Sequence, residues 1–215
     1  MKKILFILLT SMVSLYSTAG DPKYMAVMER NVAMIDTATT TTTYSVANNT
    51  FERIANANPT EWLPVYYQAY CTILMGMKQE SPALKDEYFD KAEALINRAD
   101  EISPENSEIL VVQAWVNSMK IGVDPATRGQ KLGPKAGMFT EKALQLNPEN
   151  PRAHFLKGTS IFYMPANFGG GKDKALPVFE KAIEKFKAAK PENKIVPHGG
   201  QVPAEALLEQ CKKAE

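Results

Sequence analysis

Apolar side chains return at intervals of three and four residues along most of this chain, and almost nowhere do they alternate with polar ones. Trp62, Val65, Tyr66, Ala69 and Ile73 share one helical face. Leu95, Ile96 and Ala99 share another, as do Phe179, Ala182, Ile183 and Phe186. This is the period of amphipathic helices, whereas a half-buried strand would show a period of two. The pattern predicts an all-α fold.

A longer period lies over the short one. Asn58-Pro59, Ser103-Pro104, Asn147-Pro148 and Lys190-Pro191 follow one another at intervals of 45, 44 and 43 residues. SPENSE at 103–108 and NPENPR at 147–152 share more than the proline, and KPEN at 190–193 is a third echo. Ten residues after each of the first three prolines stands a small residue, Ala69, Ala114 and Gly158. Five before them stand Ile54, Ala99 and Ala143, and twelve before them Ala47, Ala92 and Ala136. Ala175 and Ala182 keep the same spacing in the last unit, where Pro191 arrives late, nine residues after Ala182. Small residues at these points let two helices approach closely, with Phe51, Ile96 and Phe179 filling the gap four residues on. A fixed period of this size is the mark of a stacked repeat.

EKALQLNPENPRAHFLKG (141–158) and KALPVFEKAIEKF (174–186) carry the pattern most fully. Over residues 24–191 the arrangement resembles the tetratricopeptide repeat (TPR), a helix–turn–helix unit of about 34 residues with small residues at its packing points and a proline near its end. The resemblance implies a solenoid of about four hairpins, at 24–60, 61–104, 105–148 and 149–191, followed by a capping helix at 203–214. The units are longer than the family's. The extra residues fall near MKQESPALKD (77–86), KIGVDPATRGQKLGP (120–134) and MPANFGGGKD (164–173), and are expected to emerge as loops along one edge or to lengthen the first helices.

The N-terminus adds a destination. Lys2 and Lys3, the apolar Ile4 to Leu9 and the small residues Ser17-Thr18-Ala19 have the order of a secretory signal peptide, residues 1–19, leaving one mature domain at 20–215. No cysteine stands at the cleavage point for a lipid anchor, and no later stretch is long and apolar enough to span a bilayer. The expected compartment is the bacterial periplasm, with full secretion the alternative. Losing Lys2 and Lys3 takes the formal charge from +1 to −1, a balance that argues against nucleic acid. Cys71 and Cys211 invite either a disulfide or two buried thiols.

Candidate chemistry is sparse. Gly169, Gly170 and Gly171 stand before a helix beside Asn167, Phe168 and Lys172, but Asp173 follows where a phosphate loop needs Ser or Thr. The group is read as a turn, with Asp173 capping the next helix and Pro177 near its first turn. The alternative is an anion site on backbone N–H groups. Arg128 and Lys131, in the second insertion, read as a solvated loop or as a companion anion site. Trp62, Tyr66 and Tyr70 share a core face, which leaves Tyr67 to line the groove. The run TATTTTTYS (37–45) reads as a linker. Neither His154 nor His198 has metal-ligand spacing, and no nucleophile constellation is visible, so neither metal, cofactor nor enzymatic activity is expected.

These observations yield a non-catalytic, TPR-like scaffold binding a protein or peptide partner in its groove. The alternative is a small-molecule binding accessory protein, since the chain also resembles periplasmic TPR proteins that accompany substrate-binding transporters. The oligomeric state is not legible.

Overall fold

The structure, a computed structural model, describes residues 21–213; the expected signal peptide lies outside them. The described residues form nine α-helices: α1 (Pro22–Asp36), α2 (Thr41–Ala57), α3 (Trp62–Met77), α4 (Pro82–Ile102), α5 (Ser107–Val123), α6 (Pro125–Leu146), α7 (Pro151–Tyr163), α8 (Lys172–Ala188) and α9 (Gln201–Lys212). No strand occurs among them. Consecutive helices pack as antiparallel pairs, α1 with α2, α3 with α4, α5 with α6 and α7 with α8, and α9 covers α8. The first helices of successive pairs also touch, α1 with α3, α3 with α5 and α5 with α7. This is a TPR-like stack of four hairpins and a terminal helix.

Helix starts follow local chemistry. Asp21, Thr40, Ser81, Asn106, Asp124 and Asn150 cap α1, α2, α4, α5, α6 and α7 by accepting hydrogen bonds from first-turn N–H groups. Pro22, Pro82, Pro125 and Pro151 stand just inside, where no intrahelical donor is needed. Residues 37–40 join α1 to α2 and Thr40 is the N-cap, as a linker and cap require, while Thr41, Thr42 and Thr43 are absorbed into the first turn of α2. The repeat's small residues Ala47, Ala69, Ala92, Ala99, Ala114 and Ala143 are all fully buried at helix contacts.

Two of the three insertions are not loops. The turn between α3 and α4 occupies only residues 78–81, and α5 passes into α6 through Asp124 alone. The added length goes into the second helices, giving 21 residues in α4 and 22 in α6. Arg128, Lys131, Gly129, Gly133 and Pro134 are therefore helical. Capping by Asp124 and ion pairs reaching α6 from α4 sustain the helix, Arg128 with Asp86 and Lys135 with Glu93. Lys120 of α5 joins the same network through Asp90 and Glu93.

Only the third insertion remains a loop, over residues 164–171. A 3-10 turn, Ala166–Phe168, ends at Gly169 with φ +93°, and Gly171, with φ +122°, precedes α8. Asp173 lies inside the first turn of α8 rather than capping it, and Pro177 is two positions further in than a cap at Asp173 would place it. The two cysteines are separate buried thiols, Cys71 in the core around α3 and Cys211 in the cluster joining α8 and α9.

One segment breaks the stacking order. Residues 189–200, between α8 and α9, carry no helix and return to the first two hairpins. Ile195 is buried in the same core as Met28, Phe51 and Tyr67. Asn193 shapes the turn by accepting hydrogen bonds from the N–H groups of Ile195 and Val196, at 3.0 and 3.2 Å. This strap lies against the first helices of the stack.

Candidate functional site

Between the strap and the first helices lies a cleft of about 360 Å³. Its floor is the aromatic face of α3, with Tyr66, Tyr67, Tyr70 and Leu74. Its sides are the end of α1 at Ile35 and Asp36, Tyr44 of α2, and Arg152 of α7. The strap and the start of α9, from Pro197 to Pro203, close over it.

The repeat itself places the tyrosines. On α3, residues four apart share a face, but α3 is surrounded by α1, α2, α4, α5 and the strap, so nearly every side of it is covered. Tyr66 stacks on Tyr70 with ring centroids 6.4 Å apart and meets Tyr67 edge-on at 5.2 Å, while Tyr70 leans on Trp115 at 5.4 Å. Tyr67, expected in the open groove, is instead a buried ring at the cleft under the strap, and its hydroxyl donates to the Ile195 carbonyl at 2.8 Å. Tyr44 likewise donates to the Ala38 carbonyl at 2.8 Å. Burial pushes all four phenols upward, Tyr70 to about 12, so they are neutral donors at any physiological pH.

Arg152 owes its place to the same repeat. Glu108 and Arg152 stand at equivalent positions of successive units, four residues after Pro104 and Pro148. Arg152 Nε donates to Glu108 Oε2 at 2.6 Å, and Nη2 donates to Oε1. Asn150 joins the pair from below, with its amide nitrogen 2.8 Å from both Ser107 Oγ and Glu108 Oε1. Burial works against the guanidinium charge, but the hydrogen bonds and attraction of Glu108 outweigh it and raise the Arg152 pKa further.

At the strap, His198 Nδ1 lies 2.8 Å from the Val196 carbonyl and Nε2 lies 3.0 Å from Asp36 Oδ2. Both partners are acceptors, so the ring satisfies both contacts only as imidazolium. Burial opposes that charge, yet the hydrogen bonds to Asp36 and Val196 prevail and hold the His198 pKa above its ordinary value.

The other residues singled out in the sequence lie outside this cleft. Arg128 donates to both oxygens of Asp86, through Nη2 at 2.8 Å, and Lys131 is exposed on α6. Asn167, Phe168 and Gly169 are exposed on the α7–α8 loop, Gly170 is buried, and Gly171 and Lys172 are half-buried. Arg128 is engaged by Asp86 and the Lys120 carbonyl rather than by that loop, so the structure does not assemble the two basic residues and the glycines into one anion site. Around the glycines, Tyr163, Met164 and Phe168 form an exposed apolar tip. Sequence reasoning missed Arg152, Tyr70 and the Asp36–His198 contact. The legible signals were the equivalence of Glu108 and Arg152 in SPENSE and NPENPR, and the late arrival of Pro191, which marks the strap as a departure from the period.

No helix among the described residues is long and apolar enough to cross a membrane. No group of three or more His, Cys, Asp or Glu among them is placed to hold a metal ion.

No family model matches the chain, and no curated protein does. Among solved structures, a thermophilic TPR protein from Thermus thermophilus is 14% identical, over 86% of this chain and 99% of that one, with a TM-score of 0.45. The HusA haemophore from Porphyromonas gingivalis is 37% identical, over 88% of this chain and 92% of that one, with a TM-score of 0.79. More than a third of the aligned residues are shared along nearly the whole of both chains, and the protein belongs to the family of the HusA haemophore.

Proposed function

We propose that this protein is an exported, non-catalytic haem carrier, and that the cleft under the strap holds the porphyrin. The observation that carries the reading is the 37% identity to a haemophore across nearly the full length of both chains. Of the two functions open at the level of sequence, this supports the small-molecule one. The chemistry of the cleft agrees. A porphyrin is a flat apolar plate with carboxylates on one edge, and the cleft is lined by aromatic side chains at its floor and a cation at one side. About 360 Å³ lies at the small end of ligand pockets, so part of the plate would protrude past Val202. An open edge suits a carrier, whose cargo must leave again.

Val202 lines the mouth of the cleft and is 77% exposed, so changing it costs the fold little. Titration of haemin into the mature protein, followed by the Soret band, should show saturable one-site binding. V202E should weaken it about tenfold, close to 1.4 kcal/mol, with an unchanged thermal midpoint. Absence of any Soret change with the wild-type protein would refute the function.

A protein partner is favoured by one separate observation, the exposed Tyr163, Met164 and Phe168 at the α7–α8 loop. That surface would serve delivery of the cargo rather than its binding.

A further inference from the structure

Two of the four phenols around the cleft have their hydroxyls spent on backbone carbonyls, Tyr44 on Ala38 and Tyr67 on Ile195. The other two, Tyr66 and Tyr70, have no hydrogen-bond partner among the described residues, although Tyr66 is almost wholly buried. Both side chains line the cleft. Arg152 repeats the asymmetry. Its Nε and Nη2 are committed to Glu108, while Nη1 has no partner among the described residues and the side chain lines the same cleft. An arginine that is 16% exposed and tied down on one edge is a costly cation to bury unless its remaining donors are used.

We propose that Arg152 Nη1, with the Tyr66 and Tyr70 hydroxyls, is a carboxylate-reading subsite that selects ligands carrying an acid group at the edge of an aromatic plate. The proposal rests on the porphyrin reading and names the group on the porphyrin that the cleft recognises. All three atoms are donors, and a carboxylate is acceptor-only with room for several hydrogen bonds. The raised pKa values keep both phenols protonated as donors. The acids nearby do not compete for the subsite. Glu108 is engaged by Arg152 and Asn150, and Asp36 by His198. The donors are also held in place before any ligand arrives. Asn150 and Ser107 brace the Glu108–Arg152 pair, and Tyr70 is wedged between Tyr66 and Trp115. Little ordering is then left for the moment of binding.

Two probes separate this subsite from porphyrin binding as such: haemin as the free diacid, and the same haemin as its dimethyl ester. The ester keeps the plate and the iron but cannot accept in the same way or carry the charge. Wild-type protein is expected to bind the diacid at least tenfold more tightly than the diester. In Y70F, which removes one hydroxyl and keeps the ring, that ratio should fall several-fold. In R152K, which keeps the charge and loses the fork, it should approach one. Circular dichroism and the thermal midpoint check that each variant folds. Should R152K fail to fold, the wild-type ratio and Y70F decide alone. Equal wild-type affinities for diacid and diester would overturn the subsite and leave haem carriage standing. Failure of the wild-type protein to bind either probe would overturn both.

Discussion

Gly170 sits where a methyl group would meet the Met164 carbonyl oxygen at 1.9 Å, so no other residue fits there without moving backbone. Its neighbours Gly169 and Gly171 hold φ of +93° and +122°, conformations that side chains resist. Three consecutive glycines thus have three backbone reasons to be glycine, none of which requires a ligand. G170A is expected to destabilise the protein by about 1–3 kcal/mol in urea unfolding. It should leave haemin affinity unchanged, because the loop lies outside the cleft. Asn150 makes the complementary case, a single polar side chain with several tasks. It caps α7 by accepting from the N–H groups of Arg152 and Ala153, and it supports Glu108 and Ser107 of α5. N150A should cost about 1–2 kcal/mol, at the upper end for lost caps, since it strands buried partners as well.

Among the elements, the strap is held in part by a contact whose strength should vary with pH. His198 reaches Asp36 and the Val196 carbonyl together only when doubly protonated, and its pKa is raised in the folded protein. Its contribution is therefore complete below the ordinary histidine value of about 6.5 and fades as pH climbs through the raised folded value. Asp36 from α1 favours that charge, and Arg152 from α7 opposes it. The stability difference between wild type and H198Q should be larger at pH 5.5 than at pH 8.5 in urea unfolding; an equal difference at both would show the contact to be inert. The strap is also where sequence reading stopped short. Helices, small packing residues and hairpin count were legible because each depends on spacings inside one repeat. The insertions were misplaced because α4 and α6 extend on caps and ion pairs, Asp86–Arg128 and Glu93–Lys135, whose partners lie 42 residues apart. Tyr67 was legible as unusual but not as covered, since Ile195, which covers it, lies 128 residues away.

At the scale of the whole molecule, a regular stack supplies a row of first helices, and a C-terminal segment that leaves the register turns part of that row into a cleft. The equivalence of Glu108 and Arg152 in successive units brings a buried ion pair to its side, and the aromatic run of α3 supplies its floor. The exposed tip at 163–168 lies on the α7–α8 loop, outside the residues that line the cleft, so the two proposed surfaces do not overlap. The porphyrin is proposed to sit under the strap, and its iron offers a direct way to locate it. Paramagnetic haemin should be titrated into isotope-labelled mature protein and amide signal loss mapped along the chain. Broadening centred on Tyr70, Arg152, His198, Gly199 and Val202, with 163–172 unaffected, is the expected result. Broadening confined to 163–172, or spread over the surface without a centre, would contradict it.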